Sequence, residues 1–278
     1  MVGAAFSPLI PPHCIVYRDR FPNDESQTAM ETAIFEPGGY RYVRGPFQYS
    51  GGVAAQPGFA IERVRFARPM PVEAGFSAIE AHLTAIGRPF TSFCACELRS
   101  PAPFTDQGFI DFNRVYVGTL EKWGIFKDDE NPVARSNVCP ETNPPAEPGF
   151  EAFSYTVPES DQSSGGFVIA GSAESREGSG PYAERIVRYG EATPDALREK
   201  ARYVLDVMEQ RMAALGVDWS KANAVQVYTI HDLHPFLADE IVRRGAAGPG
   251  LTWYYARPPV LGLEYEMDVR GVPVHRAA

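Results

Sequence analysis

The chain has 278 residues, of which 44% are hydrophobic and 22% are charged, and this composition is typical of an ordinary soluble protein with one large or two medium domains. Its net charge of -9 argues against a nucleic-acid partner, because phosphate backbones require clustered Lys and Arg. No run of about 20 apolar residues is present, and the first residues lack the basic and apolar regions of a signal peptide. We therefore expect no membrane partner, no nucleic-acid partner and a cytoplasmic location.

The sequence gives no sign of a disulfide framework, a metal site or a cofactor. Its four cysteines have no framework spacing, and Cys94 and Cys96 lie two apart in a strand-like run, where buried reduced thiols are expected. His231, Asp232 and His234 lie close together, but a His-Asp-x-His-Pro sequence at a strand-to-helix turn also serves as a cap. We predict neither metal nor cofactor.

The first half of the chain predicts an N-terminal arm followed by one α+β unit. Residues 1–36 are irregular and rich in proline, and residues 37–158 give the order β-β-β-α-β-α-β-β. Apolar residues in steps of three and four identify the first helix, while aromatic and β-branched runs between glycines identify the strands. The predicted strands are 40–43, 47–54, 59–66, 90–98, 133–139 and 150–157, and the predicted helices are 71–86 and 111–125.

The second half, residues 159–278, repeats this order at a nearly constant offset, which predicts a tandem duplication. Thr193-Pro194-Asp195 opens its long helix with an N-cap residue, a proline at the first position and an early acid. The apolar stripe of that helix ends at Gly216. The predicted strands are 167–173, 184–189, 222–230, 251–256 and 263–269, and the second helix is 235–244.

Several short motifs, taken in this order, resemble the Rid family of YjgF-like reactive intermediate deaminases. They are Ser50-Gly51, Arg135-Ser-Asn-Val138, Phe150-Glu151-Ala152, the helix 195–216, the run Val227–Leu233 and the run Arg257–Glu266. The resemblance covers roughly residues 37–271. It implies a chorismate-mutase-like α+β fold in two tandem units, the second degenerate, and metal-free hydrolysis of enamines or imines. It also implies trimers, with sites between neighbouring subunits.

The same resemblance implies roles for individual residues. Arg135 corresponds to the family's carboxylate-binding arginine, and Glu151 to the glutamate that is associated with the reacting water. Gly51 supplies backbone at the substrate, and Tyr40 corresponds to an aromatic residue that lines the cleft from an adjacent subunit. Asn137 stands where many relatives carry a cysteine, which changes the contact to the substrate nitrogen.

Independently of any family, a guanidinium and a carboxylate can face one cleft if strands 133–139 and 150–157 pair. The planar fork of Arg135 would then bind a substrate carboxylate, and Glu151 could deprotonate a water molecule. The alternative is that Arg135 is an interface residue paired to an acid, and that Glu151 serves the same arginine. In the second half the arginine position falls at Gly250 while the acid is Glu264, so we interpret this half as structural.

The resulting hypothesis is a hydrolytic deaminase of a small unsaturated amino or imino carboxylic acid, of the 2-aminomuconate type met in aromatic degradation, that releases ammonia. A second hypothesis is a chorismate-hydrolysing enzyme built on Rid-like units, in which Arg257 and Glu264 would carry the site. A third is a non-catalytic module that binds a carboxylate ligand. Three duplicated chains supply six units, so a homo-oligomer is expected and a trimer is favoured.

Overall fold

The fold was analysed in a computed structural model that describes residues 30–159, 165–178 and 180–278; the greater part of the predicted arm 1–36 lies outside them. The strands are β1 (Thr32–Phe35), β2 (Tyr40–Val43), β3 (Gly52–Ala55), β4 (Phe59–Pro71), β5 (Phe93–Arg99), β6 (Ala134–Pro140), β7 (Gly149–Pro158), β8 (Phe167–Ala173), β9 (Ala224–Tyr228), β10 (Thr252–Tyr254), β11 (Ala256–Arg257), β12 (Glu266–Gly271) and β13 (Val274–Ala277). The helices are α1 (Val72–Ala85), α2 (Asp106–Lys122), α3 (Tyr182–Arg185), α4 (Pro194–Ala214) and α5 (His234–Phe236), and α5 continues as a π-helical segment, Leu237–Val242. None of these helices is both long enough and apolar enough to cross a membrane.

The strands form two mixed sheets, which confirms the predicted α+β class. The seven-stranded sheet has the order β1-β2-β3-β8-β12-β9-β10, and the six-stranded sheet has the order β11-β6-β5-β7-β4-β13. Each sheet takes strands from both predicted halves. The supposed pairing of β6 with β7 is wrong, because both pair with β5. Every residue of β5 is buried, and such a strand needs a hydrogen-bonded neighbour on each side.

Helices cover the outer faces of the two sheets, and the inner faces pack on each other. Helices α1 and α2 supply apolar residues to one core with the six-stranded sheet, and α4 lies against the seven-stranded sheet in another. Between the sheets, Arg63 and Arg270 contact Glu97 with Nε–Oε1 and Nη1–Oε1 distances of 2.6 and 3.4 Å. Burial raises the pKa of Glu97, but these two positive charges outweigh burial and hold it well below its ordinary value.

The start of helix α2 and the segment 184–189 differ from the sequence prediction for local reasons. Helix α2 begins at Asp106, before the predicted residue 111, because the Thr105 hydroxyl caps it by accepting a hydrogen bond from the Gly108 N–H at 3.1 Å. The predicted strand 184–189 is wrong, since the short helix α3 follows Pro181 and Ile186 alone forms a β-bridge, to Ser175. The predicted cap of α4 is confirmed: Thr193 Oγ1 accepts from the Ala196 N–H at 3.3 Å.

A fully buried ion pair ties α4 to the loops beside β8 and β12. Lys200 Nζ lies 3.1 Å from Glu174 Oε1, and both side chains are completely buried. The same ammonium donates to the Val187 carbonyl. The Glu174 carboxylate also accepts from the backbone N–H groups of Glu264 and Tyr265, at 2.6 and 3.1 Å. We call this arrangement the Glu174–Lys200 clip; it fixes the residues immediately before β12.

Replacement of Lys200 by Met should lower the free energy of unfolding by about 3–5 kcal/mol, because it leaves a buried carboxylate without its cation. Urea unfolding measures this difference. Lys122→Met, an exposed change at the end of α2, serves as the control and should change stability by no more than about 0.5 kcal/mol. Equal, small effects of both changes would show that the clip does not stabilise the fold.

Candidate active site

A cavity of about 510 Å³ lies between α2 and α4, where β6 of one sheet approaches β8 and β12 of the other. Both halves of the chain line it. The polar residues of its wall that matter below are Tyr49, Arg135, Asn137, Ser172, Arg211 and Glu266. Apolar walls with a few converging polar groups are typical of small-molecule sites.

Arg135, on β6, is a buried cation without an acidic partner in the described ranges. Its exposed fraction is 3%. One Nη donates to the Asn113 side-chain carbonyl, and the guanidinium carbon lies 5.0 Å from the ring centre of Tyr116 and 5.3 Å from that of Tyr49. Aromatic faces stabilise a guanidinium without satisfying its N–H groups. Its Nε has no hydrogen-bond partner, so Arg135 retains donors for an anion.

Asn137 follows two residues later on the same face of β6 and presents a second unused donor. Its side-chain oxygen accepts a hydrogen bond from the Ser100 hydroxyl at 2.9 Å, which fixes the orientation of the amide. Its Nδ2 group is buried and has no hydrogen-bond partner among the residues that the structure describes. A buried donor without a partner costs free energy, and a bound ligand in the cavity would remove that cost.

Glu266, the first residue of β12, is the buried acid of the cavity wall, which also contains Asp106 and Glu177. Its exposed fraction is 3%, and within the described residues no donor forms a hydrogen bond with its carboxylate. Burial raises its pKa well above the ordinary value, and the negative charge of Asp268 adds to the rise, while Arg99 and Arg135 oppose it. The site therefore favours the protonated form of Glu266 over its carboxylate.

The close approach of Glu266 to β8 depends on Gly171. A Cβ atom at this position would lie 2.1 Å from Glu266 Oε1 and 3.1 Å from Ser136 Cβ. Real Cβ atoms do not come that near, so the carboxyl group occupies the space that a side chain at position 171 would take. Glu266 can therefore take this position only because residue 171 is a glycine.

Arg211, on α4, is a second buried cation of the cavity wall, which also contains Arg176 and Arg185; the sequence analysis missed it. It is 6% exposed, its Nη1 donates to the Ser172 hydroxyl at 2.7 Å, and its Nε has no partner. Its Nη2 lies 3.5 Å from a carboxylate oxygen of Glu177, a largely exposed residue. The sequence did contain a sign of its burial, because Arg211 lies three residues after the buried Met208 and therefore falls on the apolar stripe of the helix.

The residues expected to act with Arg135 lie apart from it. Glu151 is on β7, with β5 between it and β6, and its carboxylate is 2.7 Å from Arg65 Nη2. Tyr40 is in the core between the sheets, where its hydroxyl donates to the Phe93 carbonyl at 3.3 Å. Neither lines the cavity. Gly51 is close to it, since a Cβ there would lie 3.1 Å from the Nε of Arg211.

The candidate residues of the alternative second-half site form a chain of ion pairs outside this cavity. Glu264 accepts from His231, with an Nε2–Oε2 distance of 2.7 Å, and lies 3.8 Å from Arg257. Arg257 also binds Glu141, and His234 contacts Asp232. In the residues that the structure describes, no group of three or more His, Cys, Asp or Glu side chains is placed to hold a metal ion.

Comparisons with solved structures give low similarity scores. A chorismatase crystal structure at 1.08 Å resolution superposes with a TM-score of 0.49 at 12% identity, over 82% of this chain and 78% of that one. E. coli TdcF with bound serine gives a TM-score of 0.28 at 18% identity, over 38% of this chain and 80% of that one. Scores this low support no argument about fold or function.

Sequence comparison is more informative. The family model described as 2-aminomuconate deaminase CnbZ matches residues 32–276. The 2-amino-5-chloromuconate deaminase of Comamonas testosteroni is 55% identical over 242 residues, which are 87% of this chain and 96% of that protein. These matches confirm the predicted activity, that of a hydrolase acting on C–N bonds as a deaminase of aminomuconate-like substrates. The chain belongs to the 2-aminomuconate deaminase CnbZ family.

Proposed function

We propose that the protein hydrolyses 2-aminomuconate, or a substituted aminomuconate, to the corresponding 2-oxo acid and ammonia in the cavity between α2 and α4. One observation carries this proposal. Arg135, a buried guanidinium without an acidic partner among the described residues, and Glu266, a buried acid whose pKa is raised, line the same cavity. The family and the relative supply the substrate class, and the cavity supplies the groups that the reaction needs.

Arg135 binds the carboxylate next to the nitrogen-bearing carbon. The planar fork of a guanidinium matches a carboxylate, and its weak hydration suits a buried position. Packing against the rings of Tyr49 and Tyr116 fixes the plane of the fork before the substrate arrives. Asn137 Nδ2 is a further donor on the same strand face. Positioning of this kind lowers the entropic cost of the later steps.

Glu266 carries the proton in both directions. Its acid form protonates a carbon of the dienamine, and the substrate becomes an iminium ion. The resulting carboxylate removes a proton from water as the oxygen bonds to the iminium carbon, which gives a carbinolamine. Glu266 then protonates the amino nitrogen, the C–N bond breaks, and the hydroxyl proton returns to Glu266 as the carbonyl forms. Water and enamine become oxo acid and ammonia, with the acid restored.

The finer architectural predictions belong to the same proposal. Each sheet carries a long helix on its outer face, which supports two Rid-like units in tandem. The predicted boundary near residue 158 stays a prediction, as do the trimer and the cytoplasmic location. Arg135, Asn137 and Glu266, the residues used in the proposed chemistry, come from one chain.

The direct test is ammonia release from freshly generated 2-aminomuconate. We expect turnover by the wild type, a loss of about 10- to 100-fold in kcat/KM for Arg135→Met, since a charged hydrogen bond is lost, and a loss of about 100- to 10,000-fold in kcat for Glu266→Gln, which cannot transfer the proton. Glu151→Gln should remain close to wild type. A severe loss in Glu151→Gln with an active Glu266→Gln would transfer the acid's role to β7 and refute our assignment.

Gly171→Ala should lower kcat by about 100-fold, because the new methyl group displaces the Glu266 carboxyl group and a shift of about 1 Å in a reacting group has an effect of this size. Steady-state kinetics measures the loss. Gly118→Ala is the matched control, since a Cβ on this α2 residue meets no atom within 4 Å. That change should keep activity and stabilise the helix by about 0.5–1 kcal/mol. Normal activity in both variants would mean that the carboxyl group need not lie against β8.

The raised pKa of Glu266 predicts a pH-dependent stability difference between the wild type and Glu266→Gln. Above the ordinary glutamate pKa of about 4.3, the unfolded wild type loses this proton while the folded protein keeps it. The stability contribution of Glu266 is complete below that pH and falls as pH rises toward the folded pKa, by up to about 1.4 kcal/mol per pH unit. The Glu266→Gln variant has no ionisable group at this position, so its stability lacks this pH dependence.

Urea unfolding at several pH values between about 5 and 8, within the range where the unfolded carboxyl group is ionised, should therefore show Glu266→Gln gaining stability relative to the wild type. Glu62→Gln is the control: the hydrogen bond from Arg276 lowers the pKa of Glu62, so this difference should stay flat over the same range. A flat difference for Glu266→Gln would contradict the protonated state.

A further inference from the structure

Arg211 has no role in the chemistry proposed above, yet it is a buried charge in the wall of the same cavity. Its guanidinium donates to a neutral hydroxyl, that of Ser172, and its Nε has no hydrogen-bond partner. The acid nearest to it, Glu177, is 3.5 Å away and 66% exposed. An exposed carboxylate at this distance compensates little for removing a guanidinium from water.

Lys200 shows how the same helix accommodates a cation whose role is structural. It lies on the same buried stripe of α4, and it is paired with a fully buried acid, Glu174, and a backbone carbonyl. Arg63, between the sheets, likewise has a bidentate partner in Glu97. Arg211 has no buried acidic partner in the described ranges. Because Arg211 also lines the cavity, it can bind an anion that enters from outside.

The surroundings of Arg211 connect it with Arg135. The ring centre of Tyr49 is 5.3 Å from the guanidinium carbon of Arg135. Burial raises the pKa of the Tyr49 hydroxyl, and both Arg211 and Arg135 oppose that rise. Gly51 allows the backbone after β2 to approach the Arg211 Nε closely. Arg135 and Arg211 both line the cavity that also contains Glu266, and Arg135 is among the cations that oppose the rise in the pKa of Glu266.

We propose that Arg211 is a specificity-determining residue that binds the distal carboxylate of a dicarboxylic substrate, while Arg135 binds the carboxylate beside the reacting carbon. The inference rests on the proposed function and deepens it. The substrate class becomes unsaturated 2-amino or 2-imino acids with a carboxylate at each end. Imines of simple monocarboxylic amino acids are poor substrates, because they leave Arg211 buried without an anion.

Two positional esters of the substrate test the assignment of each arginine. Ammonia release is measured with 2-aminomuconate, its 6-methyl ester and its 1-methyl ester, using the wild type, Arg211→Met and Arg135→Met. For the wild type, kcat/KM should be about 10- to 100-fold higher for the diacid than for the 6-methyl ester, the size expected for one charged hydrogen-bonded contact. Arg211→Met should remove this preference by lowering turnover of the diacid to that of the ester.

The effect of Arg211→Met on the 1-methyl ester should be as large as on the diacid, since that compound keeps its distal carboxylate. Arg135→Met should lower turnover of the diacid and of the 6-methyl ester, and it should leave turnover of the 1-methyl ester unchanged. Arg211→Lys, which keeps the charge but not the fork, should retain part of the preference for the diacid. Arg202→Met is the matched control on α4: this half-exposed arginine contacts Glu240, outside the cavity, and its loss should leave all three rates unchanged.

The outcomes separate the two proposals. No ammonia from the diacid with the wild type would overturn the proposed function and this inference together. Turnover of the diacid and the 6-methyl ester at equal rates by the wild type would overturn the role of Arg211 alone, and this result needs no folded variant. Equal losses for the diacid and the 6-methyl ester in Arg211→Met would also overturn it, since a merely structural arginine affects every substrate alike.

Discussion

The site depends on the buried contact between Glu174 and Lys200. Glu174 follows β8 directly, and its carboxylate holds the backbone N–H groups of the two residues before Glu266. Lys200 lies on the helix that also carries Arg211. One ion pair therefore fixes the end of β8, the start of β12 and the rotation of α4, and these three elements place Gly171, Glu266 and Arg211 around one cavity.

The charges around Glu97 and those in the cavity wall are compensated in different ways. Between the sheets, Glu97 is held by Arg63 and Arg270, so removing these groups from water is offset by direct pairing. In the cavity, Arg135 rests on aromatic faces and Arg211 on a hydroxyl, contacts that tolerate a cation without neutralising it. The N–H groups that lack partners there cost free energy, and an anionic ligand that accepts hydrogen bonds from them removes this cost when it binds.

Local patterns predicted most of the fold and part of the site. The apolar spacing of α1 and α4, and the Thr193 cap, follow from interactions within a few residues, so a single sequence reveals them. The position of β5 between β6 and β7 does not, because strand order arises from contacts between distant residues. Arg135 was found from a local motif, whereas Arg211 was hidden in an apolar stripe that was interpreted as core.

The sequence was also unable to show that Glu266, and not Glu264, is the buried acid in the cavity wall. Glu264 and Glu266 lie two apart, so alternation in an extended segment places both on one side and cannot separate them. The separation comes from the Glu174–Lys200 clip, which binds the backbone at Glu264, and from the missing side chain at Gly171, which leaves room for Glu266. Both causes lie far away in sequence.

A cavity shared between the halves also explains why the second half can lack an arginine at Gly250. In a duplicated chain only one copy of each functional group is needed when the two halves face the same space. The first half supplies Arg135 and Asn137, and the second supplies Glu266 and Arg211. On the proposed assignment the second half also contributes to the site: its cation lies on a helix rather than a strand, where it would bind the far end of a longer substrate. An asymmetric substrate with two carboxylates and one reacting carbon fits such an asymmetric pair of halves.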